Sequence, residues 1–181
     1  IEIVGFDPGQ QNHLLEIYGA INSLRPSNKK WEVLLLGRYN RIANKNGIFP
    51  DIPEEDKKKF KSLSFKFLTI HKSKGLGADA VVILNLEAGK YGFPGYIEND
   101  PIMNLVRPGE QDFPNAEERR VLYVALTRAK QKVFLCTNNY FPSEFIDELK
   151  TYPDVHFDEK NIINKALLKC PSCAKGKLYL K

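Results

Sequence analysis

The run WEVLLLG, Trp31 to Gly37, carries one charge, Glu32, in an otherwise apolar stretch. A strand with one face in water alternates apolar and polar residues, so a run this continuous predicts a strand covered on both faces, as in parallel sheets with helical crossovers. Outward from it the pattern repeats. IEIVGF (Ile1 to Phe6), FKFLTI (Phe65 to Ile70), DAVVILNL (Asp79 to Leu86) and KVFLCTN (Lys132 to Asn138) read as further strands. Between them, Gly9 to Leu24 spaces Leu14, Leu15, Ile17, Tyr18 and Ile21 at helical intervals, IPEEDKKKFKSL reads as a short surface helix, and Ser143 to Leu149 as another. Strands separated by helices predict an α/β fold built on an open, mostly parallel sheet flanked by helices. Ligands of such sheets lie beyond the carboxyl ends of the strands, here the loop after FKFLTI and the segment after VLLLG. Tyr91 to Pro114, rich in Gly, Pro and Asn, reads as a long irregular connection. Asn115 and Glu118 then have the spacing of a helix cap and its capping box.

The 181 residues, 43% of them hydrophobic, suit one domain or one domain with a small appendage. A net charge of +5 is spread over 27 basic and 22 acidic residues, which favours a polyanionic partner only weakly. With no apolar run of roughly 18 residues and no signal-peptide pattern, a soluble cytoplasmic protein without a membrane partner is expected. The first residue is Ile1 and the one methionine is Met103, so the chain reads as a fragment of a longer protein. The three cysteines form no disulfide framework; Cys136, in VFLC, reads as a buried core thiol.

Two stretches carry chemistry. LTIHKSKGLGAD, Leu68 to Asp79, ends a strand with hydroxyls, two lysines and a glycine-permitted turn, a set suited to phosphates, with a solvated basic loop as the alternative. EERRVLYVALTRAK, Glu117 to Lys130, places Val121, Val124, Ala125 and Arg128 on one helical face. A guanidinium on a packed face needs an anion, since an unpaired one costs several kcal/mol there. The helix macrodipole, worth roughly 0.3 to 1 kcal/mol near a C-terminus, is the structural alternative.

In these two stretches TIHKSKGLGAD resembles motif V, and EERRVLYVALTRAK motif VI, of the superfamily 1 DNA helicases of the UvrD/Rep type. VLLLGRYNRIANKNG, Val33 to Gly47, resembles the additional motif that precedes motif V, and the order agrees. Only residues 48–67 stand where most of the family inserts a large subdomain, which is similar to the helicase IV branch. The tail KCPSCAKGKLYLK resembles the first half of a topoisomerase-type zinc ribbon.

The resemblance implies a second RecA-like domain over residues 1–150 and a linker with a partial zinc-ribbon-like tail over 151–181. ATP would lie between this domain and an upstream RecA-like domain of the same parent chain, which would also hold most of the Mg²⁺ contacts. Arg128 would be the arginine finger toward the γ-phosphate, with Lys74 and Gly75 lining the nucleotide cleft. Arg38, Tyr39, Asn40 and Arg41, with Thr69 and His71, would hold single-stranded DNA. A 3′ to 5′ direction, a role in DNA repair and a nucleoid-associated bacterial location come from the same likeness.

Gly77 stands where the family's glutamate contacts the ribose, which removes that acceptor. The phosphate loop G-x-x-x-x-G-K-[ST] and an aspartate-glutamate pair after a buried strand are absent, so the chain is expected to be half of an active site, inactive alone. Cys170 and Cys173 supply two of the four ligands that structural Zn²⁺ requires, and His156 reads as a surface residue. Arg119 and Arg120 are expected to be solvated or to reach the motif V loop. The alternative function is a non-catalytic helicase-like module that binds DNA or a protein.

Overall fold

The period of two along the strands sets the layers. In the computed structural model, which describes residues 1–6, 13–39, 54–89, 91–95 and 115–157, Leu34 and Leu36 of β2 (Trp31–Gly37) enter one core while Val33 and Leu35 enter another. Strand β4 (Ala78–Ile83) divides in the same way, Val81 and Ile83 against Ala80 and Val82, as does β5 (Ala129–Asn138), Val133 and Leu135 against Phe134 and Cys136. These strands, with β1 (Glu2–Phe6), β3 (Leu63–Thr69) and β6 (His156–Phe157), form a six-stranded sheet in the order β3-β2-β4-β5-β1-β6, parallel at every pairing.

Each face has its own helices. Helix α1 (His13–Leu24) covers one with Ile17, Tyr18 and Ile21, joined by Phe60 just past α2 (Glu54–Lys59). Helix α3 (Ala116–Leu126) covers the other with Val121, Leu122 and Ala125, joined by Phe145 and Ile146 of α4 (Glu144–Leu149). The fold is therefore a RecA-like α/β sandwich with a parallel sheet between helical layers. Cys136 lies in the α1-side core, 1% exposed, and burial pushes its thiol up to about 12.

Several expectations change. FKFLTI was expected to be covered on both faces, but β3 is the edge strand and leaves Ser64 and Lys66 exposed. Asn115 does not cap α3 through its side chain: its backbone is left-handed (φ 55°) and its amide donates to Glu144 instead. The helix formed by EERRVLYVALTRAK stops at Leu126, and Ala129 onward is strand, so Arg128 lies in the junction between helix and strand rather than on a helical face. Beyond residue 150 the sheet gains β6, which pairs with β1 through Glu2 and Ile3; His156 is exposed there. Cys170, Cys173, Asn40 and Arg41 lie outside the described residues.

Asp79, 6% exposed at the start of β4, is held by the Glu32 N–H (3.0 Å) and the Lys29 ammonium (3.1 Å). Burial pushes its carboxyl up, but these two partners outweigh that and leave it below the ordinary carboxylate value. A depressed folded pKa adds stability that is complete above the unfolded value, about 3.9, and is lost as pH falls through the folded one. Denaturant unfolding at stepped pH is expected to show a shallower acid loss for Asp79→Asn than for the parent, beginning below about pH 4.

Candidate functional site

Strands β2 and β3 end side by side, with Gly37 opposite Thr69 and the Ile70 N–H donating to the Gly37 carbonyl at 3.0 Å. The chain leaves β2 as Arg38 and Tyr39 and leaves β3 through a 3₁₀ turn, His71–Ser73, closed by the buried Ser73 hydroxyl donating to the Ile70 carbonyl. Thr69 is half-buried and His71 exposed, so Arg38, Tyr39, Thr69 and His71 gather at the carboxyl end of the sheet.

Arg38 is engaged there by a carboxylate. Its Nε donates to both Glu118 oxygens (3.2 and 3.0 Å) and its Nη2 to Oε1 (2.6 Å), a forked pair with 19% and 14% side-chain exposure. These bonds raise the Arg38 pKa above its already high value. The guanidinium also lies 5.0 Å from the Tyr39 ring centroid, and Glu118 accepts from the Gly95 N–H. Glu118 therefore does not complete a capping box; it ties β2, the segment at Gly95 and the start of α3 together. Glu118→Ala would leave a half-buried cation without its acceptor, and is expected to lower unfolding stability by about 1.5 kcal/mol in denaturant titrations. Arg119 pairs with Glu148, and the exposed Arg120 with Glu117.

A second group forms at the opposite end of the sheet. The connection after β3 passes the exposed Lys74 and turns at Gly75, whose φ of 83° is a conformation that side chains rarely adopt. It arrives at β4 where the Ala78 N–H donates to the Arg128 carbonyl (3.0 Å). Here Arg128 donates from Nε to the Val124 carbonyl (2.9 Å), from Nη1 to the Leu76 carbonyl (3.2 Å) and from Nη2 to the Thr127 hydroxyl (3.1 Å). Among the described residues no carboxylate pairs with it. The guanidinium is thus oriented by three neutral oxygens.

Gly77 runs beside this arginine. A Cβ there would meet the Arg128 carbonyl oxygen at 3.5 Å and Lys130 Cε at 3.7 Å, ordinary contacts, so space does not forbid a side chain. Lys130 also lies close enough to Asp79 to help hold that carboxyl below its ordinary value.

Helix α3, with 11 residues and so roughly 16 Å long, connects the two groups, from Glu118 in its first turn to Arg128 just past its end. Sequence reasoning missed the Arg38–Glu118 bridge, which spans 80 residues. It also missed Tyr91, half exposed beside Tyr39. Among the described residues there is no group of three or more His, Cys, Asp or Glu suited to a metal, and no helix long and apolar enough to cross a membrane.

Residues 14–140 match the family described as the UvrD-like helicase C-terminal domain. DNA helicase IV of Escherichia coli (strain K12) is 39% identical over 118 residues, covering 65% of this chain and 16% of that protein. The probable DNA helicase II homolog of Mycoplasma capricolum is 33% identical over 123 residues, 62% of this chain and 15% of the relative. The putative ATP-dependent DNA helicase YjcD of Bacillus subtilis is 40% identical over 70 residues, 39% of this chain and 8% of the relative. The chain thus spans only a small part of the length of these relatives.

Proposed function

The chain belongs to the UvrD-like helicase C-terminal domain family, and from that premise we propose that it is the second RecA-like half of an ATP-dependent 3′ to 5′ DNA helicase of the helicase IV type. One observation carries this reading: the Arg128 guanidinium is held by neutral oxygens where LTIHKSKGLGAD meets EERRVLYVALTRAK, and among the described residues it is spent on no carboxylate. A cation so fixed suits the charge that develops on a transferred phosphoryl group, and positioning it in advance avoids reorganisation during the reaction. The rest of the nucleotide site would come from an upstream RecA-like domain, including the phosphate loop and the residues that hold Mg²⁺. Lys74 would add a second cation to the cleft, and Gly75 its turn.

At the opposite end of the sheet, Tyr39, Thr69 and His71, with Asn40 and Arg41 following, would track single-stranded DNA. Arg38 serves them chiefly through Glu118 and Tyr39, because a phosphate would have to compete with a forked carboxylate. Cys170 and Cys173 would supply two thiolates toward a zinc site completed elsewhere. A repair role and a cytoplasmic, nucleoid-associated location follow from the same reading.

The test is ATP turnover by the full-length polypeptide with and without a single-stranded oligonucleotide. Stimulation by the strand supports the motor. Strand binding without turnover would instead support the non-catalytic module, a reading that the missing ribose acceptor at Gly77 already favours in part.

A further inference from the structure

The two groups of candidate residues sit at opposite ends of the sheet, and among the described residues two stretches of chain run between them. One is the crossover from β3 to β4, which leaves Thr69 and reaches the Leu76 carbonyl that accepts from Arg128. Lys74, Gly75, Leu76 and Gly77 are all exposed on it, and Gly75 turns there at a φ of 83°. A solvated stretch with two glycines yields easily and transmits little. The other is α3, whose Val121, Leu122 and Ala125 are buried in the core and whose Val124 carbonyl accepts from Arg128 Nε at 2.9 Å. Close packing makes the helix the stiffer connection.

At its far end α3 is joined to the strand-facing group through Glu118. This carboxylate, in the first turn, accepts three bonds from Arg38 at 2.6 to 3.2 Å, and both side chains are mostly buried. A fork of this kind fixes the planes of both partners, and burial leaves little water to compete for it. Arg38 directly precedes Tyr39 in the chain, and its guanidinium also lies 5.0 Å from the Tyr39 ring centroid. A shift of Tyr39 against a bound strand would therefore carry Arg38 with it and pull on Glu118. The neighbouring arginines lead elsewhere: Arg119 to Glu148 of α4, and Arg120 to Glu117 within α3.

We infer that Glu118 is a positioning residue, through which an occupied strand site sets the placement of Arg128 at the other end of α3. The inference rests on the motor reading above and deepens it, since it names the contact by which strand and nucleotide would regulate one another. The path is contiguous: a fork, one packed helix and one hydrogen bond from its last turn. Coupling of this kind is reciprocal, so nucleotide must change strand affinity by the same factor by which strand changes nucleotide affinity.

The experiment measures the affinity of the full-length polypeptide for a single-stranded oligonucleotide, with and without a non-hydrolysable ATP analogue and Mg²⁺. For the parent the two affinities should differ by about fivefold or more. In Glu118→Gln, which keeps the bulk and removes the charge, the ratio should fall below about twofold, and strand stimulation of ATP turnover should fall with it. Arg38→Lys keeps both charges and loses the fork, so it should lower the ratio as well and decides the matter if Glu118→Gln does not fold. The slope of log strand affinity against log salt should not flatten in Glu118→Gln, because no phosphate contact is removed. A flattened slope would make the loss one of strand contacts and overturn the positioning role. If both variants keep the parental ratio, Glu118 is a structural tie only, and the motor reading stands. A parent that binds the strand equally well with and without nucleotide likewise overturns the inference alone. A parent that neither binds the strand nor turns over ATP overturns both.

Discussion

Arg128→Ala in the full-length polypeptide is expected to lower strand-stimulated ATP turnover by roughly 10³-fold or more, with nucleotide affinity changed far less. The expectation comes from how the side chain is held. Three of its N–H groups are committed to the Val124 and Leu76 carbonyls and the Thr127 hydroxyl, so the guanidinium plane is fixed before any nucleotide arrives. Neutral oxygens orient it without cancelling its charge, and what alanine removes is therefore preorganised charge stabilisation. Arg128→Lys should recover little, because an ammonium cannot satisfy three acceptors in one plane and still present a donor outward. Single-turnover hydrolysis, with nucleotide binding measured separately, checks both variants. A loss of binding equal to the loss of rate would place Arg128 in ground-state affinity and remove it from the transition state.

The second large effect concerns the turn that carries Tyr91. Gly92→Ala is expected to cost about 3 kcal/mol or more in unfolding stability, read from denaturant or thermal unfolding. A Cβ at Gly92 would overlap the Glu87 carbonyl oxygen and come within 3.0 Å of the Glu87 carbonyl carbon and 3.1 Å of that of Ala88. All three are backbone atoms, and that carbonyl already accepts from Phe93. No side chain can swing aside to relieve the clash, in contrast to Gly95, where only the end of Tyr39 is in the way. Gly95→Ala should accordingly cost much less and act mainly on Tyr39. Equal losses at the two glycines would mean that the turn is not braced as described.

Much of the fold was legible because burial on both faces leaves a continuous apolar run, and WEVLLLG matches β2 residue for residue. The edge strand was misread for the converse reason: FKFLTI looks covered, but edge position depends on strand order, which local pattern does not encode. The end of helix α3 was also hidden. Ala129 to Gln131 favour a helix by propensity, yet they lie in β5, where the Ala78 N–H bonded to the Arg128 carbonyl joins this strand end to β4. Glu118 had the spacing of a capping box, yet a forked arginine from β2 is a stronger partner than a backbone N–H, and that partner is 80 residues away. Within the candidate site, Arg128 could be singled out from sequence because its motif is long. Tyr91 could not, since a glycine- and proline-rich connection has no periodicity to show which side chain stands beside Tyr39.

Helix α3 is pinned at both ends, at Glu118 by Arg38 and past its last turn by the hydrogen bonds of Arg128, and in between Ala125 is 0% exposed against the sheet. Close packing leaves no room for such a helix to slide by even part of a residue rise without opening a void. In the motor proposed above, helix α3 would supply no stroke of its own, and displacement along a strand would arise where this domain meets the upstream one.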